Sequence, residues 1–333
     1  MRLAIIGEAW GEAEAEFQRP FCGPSGRVLN GVLRHAGIIR EDCLVTNVFN
    51  LRPPGNNIDA LCGPKHMGVE GWNYIRTGQY VRAEFQPELD RLFTELEEFN
   101  PHCILALGNT PLWALCKKTG IKKYRGTPLL SYCERWKVVP SWHPSAVMRQ
   151  WNLRPILIAD TLKAKDEATF PELRRPRREV WIEPTLADIE FFYEEHIVPA
   201  EALSVDIETA HGTITEIGFA PSHDLALVIP FYSRAEPSGN YWPSHSDEVA
   251  TWRWVKRILQ EKPCFGQNVL YDVDYLWRTV GITVPKLCDD TMLLHHALQP
   301  EMEKGLGFLG SVYTREPSWK FMRQDNETLK KED

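Results

Sequence analysis

The first half of the chain alternates short apolar runs with turn residues and longer amphipathic stretches. Leu3-Ala4-Ile5-Ile6, Cys43-Leu44-Val45-Thr46, Cys103-Ile104-Leu105-Ala106-Leu107 and Lys137-Val138-Val139-Pro140 each read as a buried strand. Between them, 27–36 reads as a helix closed by Gly37. Residues 87–99 read as an amphipathic helix with Leu89, Leu92, Phe93 and Leu96 on one face. Asn109-Thr110 reads as a helix cap with Pro111 at the helix start. Residues 52–82, with Pro53, Pro54, Gly55, Gly63, Gly68 and Gly71, read as a loop-rich insertion. Strand–helix repetition of this kind predicts an α/β/α sandwich on a parallel sheet. Ligands of such sheets bind beyond the carboxyl ends of the strands. The residues at those ends, Glu8, Asn47, Asn109 and His143, are therefore candidates for one rim.

The pattern changes in the second half. Residues 203–209, 215–219 and 226–231 are closely spaced apolar runs and predict an antiparallel meander. Residues 247–260 read as a helix with Val249, Trp252, Val255 and Ile258 inward. The charged stretch around Leu173-Arg174-Arg175-Pro176-Arg177-Arg178 separates the two patterns. The expected organisation is a first domain over 1–165, a basic linker over 166–180 and a second domain over 181–333.

Composition narrows the class. The chain has 333 residues and 43% hydrophobic content, enough for ordinary cores, and no run of ~20 apolar residues to span a membrane. Met1 leads directly into a strand, so no signal peptide is expected and the protein reads as cytoplasmic, in a bacterium or a phage-infected host cell. The eight cysteines include no Cys-x-x-Cys pair and read as reduced thiols. The formal net charge of −7 argues against a general nucleic-acid coat but not against a local basic groove. Its expected sources are Lys117, Lys118, Lys122, Lys123 and Arg125, and the run 149–154.

The motifs of the first half, GEAWGEAEAEF with RPF and GPSG, TNVFNLRPPGN, ALGNTPLWAL and HPSAVMR, occur in order from about residue 2 to 147. Together they resemble the uracil-DNA glycosylase superfamily, nearest the branch whose motifs read GEAPG, GRPFVG, TN, CRPPGNR and HPS. The resemblance implies that a uracil flipped out of DNA stacks on Phe21, is read by the Asn47 amide, and leaves with His143 donating to its O2. It also implies substrate contacts at Gly7, Ala9, Asn109 and Ser145, with Glu8 and Glu14 as the acids near the base. In the best-known members an aspartate two residues after the motif glycine handles the attacking water; here that place is Ala9. Trp10 replaces the family's proline. The branch usually carries an iron–sulfur cluster, but the motif cysteine is replaced by Leu51 and no Cys-x-x-Cys precedes the first strand, so no cluster is expected.

In the second half, Asp206 and Glu208 lie two apart in a strand and face one side. Paired carboxylates of that kind commonly hold Mg²⁺ or Mn²⁺. With Asn268-x-x-x-Asp272 and Asp290-Thr291-Met292 they resemble the 3′–5′ exonuclease domain of family A DNA polymerases, of ribonuclease-H-like fold, over about 181–314. The resemblance implies Asp206, Glu208 and Asp272 as metal ligands, Asn268 as a positioning residue and Asp290 as a structural carboxylate at a helix start. The fourth acid of that family, in Tyr-x-x-x-Asp, does not follow Ser318-Trp319-Lys320. The chain is therefore expected to lack exonuclease activity alone, with Asp333 ending a truncated or split polymerase. The expected function is removal of uracil from single- or double-stranded DNA in repair or replication, with a DNA polymerase polypeptide as further partner. The alternatives are a non-catalytic sensor of uracil or a modified base that tethers a polymerase, and an active 3′–5′ exonuclease.

Overall fold

The computed structural model describes residues 1–316 except Pro176 and His211. In chain order the first unit contains β1 (Leu3–Ala9), α1 (Glu12–Phe17), α2 (Pro24–His35), β2 (Leu44–Phe49), β3 (Cys62–Gly63), β4 (Tyr80–Val81) and α3 (Gln86–Phe99). It continues with β5 (Cys103–Leu107), α4 (Asn109–Cys116), α5 (Ile121–Tyr124), β6 (Leu129–Leu130), β7 (Lys137–Ser141), α6 (Pro144–Arg149) and α7 (Arg154–Glu167). The sheet order is β2-β1-β5-β7-β6, parallel except for the β6 edge. β1 and β5 are central and buried on both faces, which is why they read as unbroken apolar runs. Leu89, Leu92 and Leu96 of α3 are buried while Phe93 is half-buried.

Two strands run further than their apolar cores. β1 continues through Gly7 and Glu8, and β2 through Asn47 to Phe49, because backbone pairing Gly7↔Asn47 and Ala9↔Phe49 extends the ladder past the last apolar residue. Asn47 is thus a strand residue rather than a strand end. α4 begins at Asn109, with Gly108 (φ 104°) at the cap position; the Asn109 side chain does not cap its own helix but accepts from the N–H groups of Gly120 and Ile121 at the start of α5, at 3.1 and 2.7 Å. The 52–82 insertion consists of short turns around the β3–β4 pair.

The second unit contains β8 (Glu179–Trp181), α8 (Leu186–Phe192), β9 (Leu203–Ala210), β10 (Thr213–Ala220), β11 (Leu225–Pro230), α9 (His245–Glu261), β12 (Cys264–Gly266), α10 (Leu270–Val280), β13 (Leu287–Asp290) and α11 (Thr291–Leu298). Its sheet has the order β13-β12-β9-β10-β11-β8, with β9, β10 and β11 forming the expected antiparallel meander. Val255 and Ile258 of α9 are buried in a core of its own, separate from that of the first unit. The chain is thus a mixed α/β protein.

The two compact units divide the chain differently from the composition. Residues 1–174 cluster together, 175–306 form the second unit, and 307–316 join the first. The physical reason is a polar knot. Arg125 is buried and paired with buried Asp160; it also donates to the Ser311 hydroxyl at 2.7 Å. Lys163 donates to the carbonyls of Gly126, Ser311 and Thr314. Ser311 lies on α12 (Leu306–Tyr313). α7 also runs through the first residues of the expected linker, to Glu167. Arg125 is therefore unavailable to a DNA groove, contrary to its place among the expected basic sources. The expectations for 317–333, including the Ser318-Trp319-Lys320 segment, lie outside the described residues.

Asp160 also accepts from Ser141 at 2.7 Å. Replacing it with alanine leaves the Arg125 charge buried without its partner, a defect that costs ~3–5 kcal/mol. Asp160→Ala should lower the unfolding midpoint of the first unit accordingly, read by urea denaturation of the variant against the native chain.

Candidate active site

At the carboxyl end of the first sheet, Gly7, Asn47, Phe21 and His143 converge. A Cβ at Gly7 would lie 2.2 Å from Asn47 Oδ1 and 2.5 Å from the Phe21 ring, so only glycine allows all three to meet. The Phe21 and His143 rings are tilted by 31° with centroids 5.8 Å apart. Asn47 is buried, and its Nδ2 has no hydrogen-bond partner among the described residues. A buried amide donor left unpaired costs ~1–3 kcal/mol, the mark of a group kept for a ligand. The buried indole N–H groups of Trp10 and Trp142, at the ends of β1 and β7, are unpaired in the same way. The carbonyls of Asn47 and Val48 accept from Arg91 of α3 at 2.9 and 3.0 Å, which pins this stretch of β2.

Phe21 sits in a left-handed turn (φ 51°) and is 2% exposed. Its turn packs so closely on α2 that a Cβ at Gly26 would overlap the Phe21 carbonyl. Glu14 holds the same turn from the other side. One carboxylate oxygen accepts from the Gly11 N–H at 2.6 Å and the other from the Phe21 N–H. Both oxygens thus accept from backbone N–H groups, so that Glu14 braces the Phe21 turn. Glu8 is half-buried and accepts from the Thr110 hydroxyl across the β1–α4 junction. Ala9 carries no polar side chain, so no carboxylate is presented at that place.

His143 caps α6, with Pro144 in the first helical position. Its Nδ1 accepts from the Ser145 N–H at 3.1 Å and lies 2.8 Å from the Ser145 hydroxyl. An Nδ1 that accepts is unprotonated, so the proton of the neutral ring belongs to Nε2. Burial, and next the Arg149 charge, lower the His143 pKa from 6.5 to about 4. Asn109 is exposed and its amide oxygen is engaged at α5. Sequence reasoning missed Thr110 and Arg91, because their roles depend on packing between elements far apart in the chain.

Position 51, where the resembled branch carries an iron–sulfur cluster cysteine, is leucine. Such a cluster takes four thiolates, and among the described residues no three His, Cys, Asp or Glu side chains converge as metal ligands. Leu51 packs against the apolar core, and burial pushes the Cys62 thiol up to about 11.

In the second unit Asp206 and Glu208 lie on the exposed face of β9, as the strand period requires. Asp272 is buried in the first turn of α10 and accepts from the Ile207 N–H at 2.9 Å. Burial, then nearby Asp206 and Asp290, raise its pKa to about 6 against the opposing Ile207 bond. One Asp272 oxygen is thus tied to the backbone of β9, the strand that carries Asp206 and Glu208. Asp290 caps α11 and accepts from the N–H groups of Asn268, Val269 and Met292, which holds Asn268 in its left-handed turn (φ 56°).

No helix among the described residues is long and apolar enough to cross a membrane. The uracil DNA glycosylase superfamily profile matches residues 1–169. The type-4 uracil-DNA glycosylase of Thermotoga maritima is 35% identical over 168 residues, 49% of this chain and 76% of that protein. A DNA polymerase of Bacillus phage SP01 is 22% identical over 330 residues, which covers 88% of this chain and 32% of the polymerase. The crystal structure of an EXD2 exonuclease domain soaked in Mn and GMP covers 40% of this chain and 68% of its own at 16% identity, with a TM-score of 0.27. With its motifs on the rim of a parallel sheet and the family profile matched over half its length, the chain belongs to the uracil DNA glycosylase superfamily.

Proposed function

We propose that this chain removes uracil from DNA by hydrolysing the N-glycosidic bond of a flipped nucleotide, in repair or replication. The observation that carries this reading is the unpaired Asn47 amide in the Gly7–Phe21–His143 cradle. Phe21, braced by Glu14, gives a flat apolar surface for the base. Asn47 donates through Nδ2 and accepts through Oδ1, which matches an imide edge carrying both a carbonyl and an N–H. As the bond from the sugar C1′ to the base nitrogen breaks, its electron pair passes to the base. The Nε2–H of neutral His143 then stabilises the charge that grows on a base oxygen. Water adds its oxygen to C1′ and releases a proton to solvent, and the departing base takes one up at the nitrogen that held the sugar, leaving free uracil and an abasic site. Glu8, oriented by Thr110, is the carboxylate on this rim suited to stabilise positive charge on the sugar. Ser145 sets the His143 tautomer, and Asn109 supports the rim through its bonds to α5.

Ala9 favours one other reading, a sensor that binds uracil in DNA without cleaving it, because no carboxylate stands ready for the water. A uracil-containing duplex assayed for alkali-labile sites separates the two. Cleavage should fall ~10²–10³-fold in His143→Ala and comparably in Asn47→Ala. Uracil-dependent binding with no cleavage by the native chain would establish the sensor instead.

The lowered pKa of His143 has a sign that can be checked. The unfolded chain takes up a proton near 6.5 and the folded ring near 4, so this residue's contribution to stability is present above about pH 6.5 and is lost as pH falls toward 4. NMR of ¹⁵N-histidine-labelled protein should find a ring that stays neutral with its proton on Nε2 at pH 5.5. Titration near 6.5 would remove the argument for a neutral donor.

The organisation we favour is a glycosylase domain over 1–165, a linker over 166–180 and an exonuclease-like domain from 181, acting in the cytoplasm on DNA beside a replication polymerase. The similarity to the SP01 DNA polymerase supports the last point. We propose that Asp206, Glu208 and Asp272 hold Mg²⁺ or Mn²⁺ and that, with one Asp272 oxygen committed to the Ile207 N–H, this chain alone shows little or no digestion of single-stranded DNA. Digestion abolished by Asp206→Ala would overturn that expectation.

A further inference from the structure

Behind the Phe21 turn, on the side of α2, lies a cavity of about 260 Å³ lined by Arg19, Phe21, Arg27, Asn30, Arg40 and Glu41 among others. Three guanidinium groups share it with one carboxylate. Arg40 is committed to structure: it donates to the Pro20 carbonyl and Asn30 Oδ1, both at 2.7 Å, and to the Phe21 carbonyl at 3.2 Å. Arg19 and Arg27 are exposed and make no side-chain hydrogen bond or ion pair among the described residues. The first turn of α2 adds no acidic residue. Burial, and next the Arg19 charge, lower the pKa of Arg40, with Glu41 opposing only in part. A like-charge cluster of this kind, in a chain of net charge −7, lacks an anion.

We propose that this cavity is a phosphate-binding site, distinct from the base cradle and sharing only the Phe21 turn with it. Guanidinium forks suit phosphate oxygens, which accept two parallel N–H bonds from one arginine. Arg40 is held rigidly by three acceptors, so its remaining charge is already oriented; Arg19 and Arg27 close on the anion from solvent. Asn30, fixed by Arg40, has its amide nitrogen left as a further donor. The phosphate is carried either by a DNA backbone or by a free phosphate compound. Only the first source rests on the proposed action on DNA.

The experiment compares the native chain with Arg19→Gln/Arg27→Gln and with the charge-keeping Arg19→Lys/Arg27→Lys. Thermal unfolding is measured in inorganic phosphate and in sodium chloride of equal ionic strength. The native chain should melt higher in phosphate, the glutamine variant should lose that increment, and the lysine variant should keep part of it. Equal melting of the variants and the native chain in chloride shows that folding is intact. The second arm measures binding of an undamaged duplex against salt. If the bound phosphate belongs to DNA, the glutamine variant binds more weakly and the slope of log K against log salt falls by ~1. Unchanged duplex binding with the phosphate increment present assigns the site to a free phosphate. No increment for the native chain beyond that in chloride, or an increment that survives in the glutamine variant, would overturn the proposal. Neither arm uses cleavage of uracil, so its outcome is independent of glycosylase activity.

Discussion

Gly7 has no side chain, and the volume a Cβ would take is filled by the Asn47 amide and the Phe21 ring. The rest of the first unit serves this one steric condition. β1 and β2 must be adjacent and parallel in the register that pairs Gly7 with Asn47. The Phe21 turn must fold back far enough for its ring to cover the glycine, and it does so in a left-handed conformation. Any side chain at position 7 would push apart the Asn47 amide and the Phe21 ring together.

Around that contact the structure spends polar groups on rigidity. Glu14 and Arg40 grip the backbone of the Phe21 turn from two sides, Glu14 through its N–H and Arg40 through its carbonyl. Arg91 grips the carbonyls of Asn47 and Val48, and Ser145 sets the His143 ring. A site that stabilises charge only as it develops gains when its donors are oriented beforehand and need not reorganise. The unpaired Asn47 Nδ2 is the counterpart of that rigidity, since a donor held in place by its strand cannot turn to find a partner inside the protein.

The second unit is built from the same economy of strand pairing but ends differently. Asp290 spends its carboxylate on three backbone N–H groups, and Asp272 spends one oxygen on Ile207. Asp290 and Asp272 thus hold turns of this unit, while Asp206 and Glu208 stand on the exposed face of β9.

The sequence by itself determined the alternation of elements, the meander of the second half and the candidates Gly7, Phe21, Asn47 and His143. Those features are local: apolar period, turn residues and short motifs are written in neighbouring positions. It also carried the carboxylate pair on one face of β9, because a strand has a strict period of two. Tertiary structure alone decided which candidates are free. Glu14 and Arg125 are charged residues that look available in one dimension, yet each is taken by a partner that the fold brings alongside. Residues 307–316 join the first unit because Ser311 meets Arg125 and Lys163, groups about 150 to 190 positions away that no local pattern connects. The arginine cavity is of the same kind. Arg19, Arg27 and Arg40 are ordinary surface cations in the sequence, and only the packing of the Phe21 turn against α2 brings three like charges around one space.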